Sequence, residues 1–177
     1  MGRATEDLRR EHESILHAFK IYDNIMSSDS REDNVFLKYY GQLIYFLKIF
    51  VDKCHHGKEE GYLFKRLAVK GKPNEDEIVN NLLEEHKLAR EYISMMSDAL
   101  VKKDIPELKN YALKYRDLLR SHIDKENNGI FMIADELLND SEQDMLYEKF
   151  EAHEENVIGH GVHEELHAMI KKWEELA

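Results

Sequence analysis

Two stretches of the sequence place a glutamate four residues after a histidine. One is Cys54-His55-His56-Gly57-Lys58-Glu59-Glu60, where two such pairs overlap, and the other is Ser121-His122-Ile123-Asp124-Lys125-Glu126. Positions four apart on a helix share a face, so each pair can aim an imidazole nitrogen and a carboxylate oxygen at one point, as metal ligands do. Flanking residues choose between the overlapping pairs. His56 shares its face with Ile49, Leu63 and Leu67, whereas the face of His55 runs into Lys48, Tyr62 and Arg66, so His56 and Glu60 are expected to point inward. His122 and Glu126 follow Tyr115, Leu118 and Leu119 and precede Ile130 and Ile133, an inward face again. Two single histidines join them: His12 on the stripe Leu8, Ile15, Leu16 and Phe19, and His86 among Val79, Leu82, Leu83, Ala89 and Ile93. One histidine on an apolar face is ordinarily a core residue bonded to a carbonyl or carboxylate. Four of them with two glutamates are harder to bury, because each unpaired carboxylate costs several kcal/mol and no Lys or Arg occupies the same faces. A cation is the economical partner.

The set His12, His56, Glu60, His86, His122 and Glu126 is mixed nitrogen and oxygen without thiolate. Six donors exceed what one tetrahedral zinc uses, and the single Cys54 rules out a cysteine-pair zinc site. Two metals fit better, with glutamates between them and histidines at terminal positions. His17 and His153 are expected at the surface. Tyr40, Tyr45, Tyr62, Tyr111 and Tyr115 are expected to pack, and Cys54 reads as an inert buried thiol.

The elements that must carry these residues are helical. Only two prolines and eight glycines punctuate 177 residues, 42% hydrophobic and 34% charged, which suits one soluble domain. Apolar residues recur at helical spacing from Thr5 to a break at Ser27-Ser28-Asp29-Ser30, and again from about Asn34 to Val69. A third run follows a cap at Asn74 to Asp76. A fourth opens at Asp104-Ile105-Pro106-Glu107 and closes at Asn139-Asp140-Ser141, and shorter helices follow to Trp173. The expected fold is all-α: an up-and-down four-helix bundle (core about 5–138) with an additional C-terminal helical segment (about 141–176) in a single domain. A net charge of -11 argues against nucleic acid as a partner. No apolar run approaches a membrane span or a signal peptide, which points to a cytoplasmic protein without a membrane partner, a monomer or weak homo-oligomer.

The order of Glu11-His12-Glu13, the His55 to Glu60 segment, Glu85-His86-Lys87 and His122 to Glu126 resembles the hemerythrin-like, or HHE cation-binding, family over about Leu8 to Leu138. The resemblance implies a four-helix bundle holding two non-haem iron ions, with manganese or a mixed pair as alternatives. It implies a small diatomic or peroxide ligand. Oxygen-carrying hemerythrins have a second histidine one turn after the one in helix three, where this sequence has Arg90. The stripe His160, His163 and His167 offers a replacement, with His163 ahead of His167; it reads equally as a polar set closing the bundle. Carriage or sensing of oxygen, turnover of peroxide or nitric oxide, and iron storage, delivery or a structural metal all suit these residues.

Overall fold

The structure, a computed structural model, describes residues 1–27, 33–71 and 73–175, apart from the side chains of Met26 and of residues 73–76. The expected helix break at Ser28 to Ser30 and the capping side chains at Asn74 to Asp76 lie outside the described residues. Six continuous helices account for nearly all the rest: α1 (Arg3–Met26), α2 (residues 33–70), α3 (Pro73–Lys102), α4 (residues 105–137), α5 (residues 140–158) and α6 (Val162–Glu174). The described residues contain no strand, so the fold is all-α, and no helix among them is long and apolar enough to cross a membrane.

Local chemistry sets the joints. The Asp104 carboxylate accepts the Glu107 backbone N–H at 3.0 Å, with Pro106 in the first turn of α4 where a missing N–H costs nothing. Asn139 and Glu142 exchange side-chain and backbone bonds at the start of α5, a reciprocal cap. Gly159 and Gly161, at φ 113° and 75°, make the turn into α6 in a region other residues avoid. The first N–H groups of α1 are satisfied from outside the helix. Those of Ala4 and Thr5 donate to Gln143 Oε1 on α5 at 3.1 and 3.3 Å, and that of Gly2 donates to Asp135 Oδ1 at 2.7 Å.

α3 lies along α4, while α5 and α6 pack against α1 and α2. Trp173 is buried and donates its indole N–H to Gln42 Oε1 at 2.9 Å, which docks α6 on α2. The apolar core falls into two clusters. The larger includes Ile15, Phe19, Tyr40, Phe46, Phe50, Met96, Tyr115 and Leu119; the smaller includes Leu8, Leu63, Leu67, Ile130, Phe131 and Phe150. The histidines and glutamates fill the layer between them.

α2 departs from regular geometry just there. Leu43, Leu47, Val51, His55, Glu59, Leu63 and Leu67 form a stripe of exact period four, each no more than 2% exposed. A regular α-helix overshoots by about 40° at every four-residue step, so it could not keep such a stripe inward. Residues Leu47–His56 and Glu59–Leu63 instead form wider turns with hydrogen bonds five residues back, which underwind the helix. α4 has one such stretch, Glu126–Ile130, beginning at its own inward glutamate.

Candidate metal centre

Seven side chains converge between the two core clusters: His12, His55, His56, Glu59, His86, His122 and Glu126, all at most 1% exposed. They form two sets whose donor atoms lie within 4.8 Å of one another: His56, Glu59, His86 and His122, and His12, His55, Glu59 and Glu126. Glu59 belongs to both. Its Oε1 lies 3.4 Å from His55 Nε2 and its Oε2 3.4 Å from His86 Nε2. Glu126 spans them likewise, with Oε2 3.1 Å from His12 Nε2 and Oε1 3.1 Å from His122 Nε2.

The outer nitrogens fix which ring atom faces inward. His55 Nδ1 lies 2.9 Å from Glu11 Oε2, His86 Nδ1 2.8 Å from Glu60 Oε1, His122 Nδ1 2.8 Å from Glu85 Oε2, and His12 Nδ1 3.0 Å from Asn127 Oδ1. Each partner is an acceptor, so each Nδ1 carries hydrogen and each Nε2 is the ring atom turned to the centre. His56 Nδ1 stands 3.5 Å from Asp52 and neither of its nitrogens is hydrogen-bonded. A cation grips every outer acceptor in turn: Lys58 holds Glu11, Arg90 holds Glu60 and Asp52, Lys125 holds Glu85, and Arg9 holds Asn127.

The centre left by this arrangement is short of positive charge. His12 Nε2 faces His55 Nε2 at 2.8 Å, and His86 Nε2 faces His122 Nε2 at 2.9 Å. With both Nδ1 atoms donating outward, lone pair would meet lone pair unless a proton or a metal stands between. The four oxygens of Glu59 and Glu126 have no hydrogen-bond partner either. Burial and the neighbouring charge of Glu126 push the Glu59 carboxyl well above its usual range. Burial also opposes the charge of Glu126, but the His122 cation prevails and holds it well below. Burial, together with the adjacent imidazoles, lowers His55 to about 4 and His56 well below its usual value; His122 rises to about 9 because Glu126 and Glu85 outweigh its burial. The lowered imidazoles of His55 and His56 and the partnerless buried oxygens of Glu59 and Glu126 suit metal cations.

The structure brings together His12, His56, His86, His122 and Glu126 from the sequence-derived set, and it adds His55 and Glu59. Glu60, chosen from sequence over Glu59, lies in neither donor set and sits half-buried behind His86, beside Arg90. The reason is the period-four stripe: Leu67 and Leu63 lead back to Glu59 and His55 once the turn is widened, whereas a 3.6-residue period leads to Glu60 and His56. That stripe was the available signal. His163 is also outside both sets. It stacks on Phe50 at 5.3 Å and stands 3.7 Å from Glu11 Oε1, in a separate group with Cys54 and Glu154. Lys58 occupies that region, fully buried, with its ammonium on Asp7 at 3.1 Å, Glu11 at 3.0 Å and Glu154. His163 thus belongs to the shell behind His55, and His56, stacked on His86 at 3.8 Å, brings a third imidazole to the donor set of His86 and His122. His167 packs edge-on against Phe50. His153, expected at the surface, is 8% exposed. Cys54 is wholly buried, its thiol pushed up by burial and by Glu11, in keeping with an inert role.

A family model described as the Hemerythrin HHE cation binding domain matches residues 3–134. All seven converging side chains fall inside that span, and α5 and α6 lie beyond it. No curated protein and no solved structure matches the chain.

Proposed function

Since the chain belongs to the hemerythrin HHE cation-binding domain family, we propose that its histidines and glutamates hold two non-haem iron ions within a four-helix bundle formed by α1 to α4, and that this centre binds or reacts with dioxygen, peroxide or nitric oxide. One observation carries the reading: Glu59 and Glu126 each turn one oxygen to each histidine group, and none of the four oxygens has another partner. A single ion would leave half of these donors unused. Bound iron would supply redox chemistry and coordination positions that the protein leaves free.

The chain's own residues divide the remaining work. His56, His86 and His122 serve one position; His12 and His55 serve the other, which has one imidazole fewer and so more room for a small ligand. Glu11, Glu60, Glu85 and Asn127 hold the rings in the orientation that presents Nε2. Phe131 stacks on His12 at 5.3 Å and Phe64 on His86 at 6.1 Å, forming apolar walls that keep bulk water from the centre. The complete burial of the donors favours a retained centre over one that stores and releases iron.

Metal analysis of protein expressed in iron-rich medium tests the reading, with about two irons per chain expected from the doubled donor set. One zinc per chain and no iron or manganese would overturn it. Mixing the reduced protein with oxygen then separates carriage from turnover. A stable, reversible visible band marks carriage, and rapid bleaching with consumption of added peroxide marks an enzyme.

A further inference from the structure

The metal reading leaves open what holds α2 in its wide-turn register, and the answer lies in α5, outside the span of the family match. His153 is buried, and its Nε2 lies 2.7 Å from the backbone carbonyl oxygen of Lys53. In a regular α-helix that carbonyl would accept the N–H of Gly57, four residues on. Here the Gly57 N–H is directed to Asp52 O, five residues back, and shared with the carbonyls of Cys54 and His55, while Lys53 O is not among its acceptors. The imidazole therefore takes the carbonyl that the shifted register releases, and Nε2 is its donor because a carbonyl can only accept. Tyr62 backs the ring, its hydroxyl 3.4 Å from His153 Nδ1 and its own ring edge-on at 5.6 Å.

Gly57 makes the approach feasible. A Cβ there would lie 2.7 Å from His153 Nε2 and 3.0 Å from Cε1, so any other residue would push the imidazole away. The bond is made within the last turn of the first wide stretch, Leu47–His56, just before the second, Glu59–Leu63, where α2 carries His55, His56 and Glu59. Successive residues on a regular helix diverge by about 100°, which would aim only one of the two histidines at a common centre. A side chain inserted into the backbone ladder is one of the few devices that stabilises such a departure.

We propose that His153 is a positioning residue, whose bond to the Lys53 carbonyl across Gly57 holds α2 in the register that turns His55, His56 and Glu59 together into the metal centre. The inference rests on the metal reading for its consequence but not for its geometry, and two readouts keep them apart. The first is the backbone register in metal-free protein, read by NMR through trans-hydrogen-bond couplings. Wild type should couple the Gly57 amide to the Asp52 carbonyl carbon. His153→Phe, and Gly57→Ala, which displaces the ring without altering it, should couple residue 57 to Lys53 instead. The second is iron content: about two per chain in wild type, falling toward about one in both variants, with the visible spectrum altered. His153→Gln keeps an N–H donor and should retain more of both signals than His153→Phe. The proposal is overturned if His153→Phe and Gly57→Ala keep the Asp52 coupling, or keep full iron with an unchanged spectrum. If wild type holds no metal and yet the register follows His153, the latch stands and the metal reading falls.

Discussion

The two sides of the centre use the same device, imidazole to acceptor to cation, but build it at different depths. Behind His86 and His122 the acceptors Glu60 and Glu85 are gripped by Arg90 and Lys125, whose side chains are 41% and 52% exposed. Behind His55 the acceptor Glu11 is gripped by Lys58, which has no exposure at all and is shared with Asp7 and Glu154. An exposed cation can be replaced by water; a buried one cannot. The side served by His12 and His55 is thus the rigid side, covered by α5 and α6, and the side served by three histidines is tuned from the surface.

Glu126→Ala should erase the distinction altogether, since Glu126 reaches both sides; metal content should fall to a small fraction of wild type. Lys58→Met should sharpen it. Three carboxylates would be left around an apolar side chain, costing about 3–5 kcal/mol in urea unfolding, whereas Lys125→Met should cost less than about 1 kcal/mol. Glu11→Gln keeps the shape of the acceptor but removes its charge, and should weaken one of two metals about 10–100-fold in a chelator competition, leaving the other nearly unchanged. The smallest effect is a proton count. His122 is raised to about 9 by Glu126 and Glu85, so it carries a proton at pH 7 in metal-free protein, and the Glu59 carboxyl is pushed upward in the same sense. Metal loading should release at least about one proton per chain, that of His122, into weak buffer at pH 7, and less above pH 9, where His122 is already neutral.

The elements were legible because propensity, capping and period agreed over most of the chain. The inward faces of His12 and His86 follow from regular helices, α1 and α3, in which the 3.6-residue period holds. α2 was misphased for a physical reason: its helix is underwound, and the period that sorts faces elsewhere selects Glu60 in place of Glu59. His153 was unreadable as a buried residue because its partner is a backbone carbonyl, exposed by that underwinding and silent in sequence. The placement of Lys58 depends on α1 and α5 meeting over it, a long-range fact. The expectation that no Lys or Arg shares the glutamates' faces fails at Glu60, which Arg90, one turn after His86, holds at 2.7 Å, and stands at Glu126, whose oxygens have no hydrogen-bond partner; the buried Lys58 pairs with Asp7, Glu11 and Glu154.

The period-four stripe of α2 also bears on how such a centre is gained or lost along a lineage. A wide turn is equivalent to one extra residue accommodated within a helix. Removing a single codon between Lys53 and Leu63 would let that turn relax to ordinary pitch. The apolar ends, Leu43 and Leu47 on one side and Leu63 and Leu67 on the other, could keep their seats while the histidine and glutamate pair between them lost its aim. The fold would outlive the chemistry, so descendants that look alike in their hydrophobic pattern can differ in whether they hold metal, and the spacing within this one helix is the character to compare.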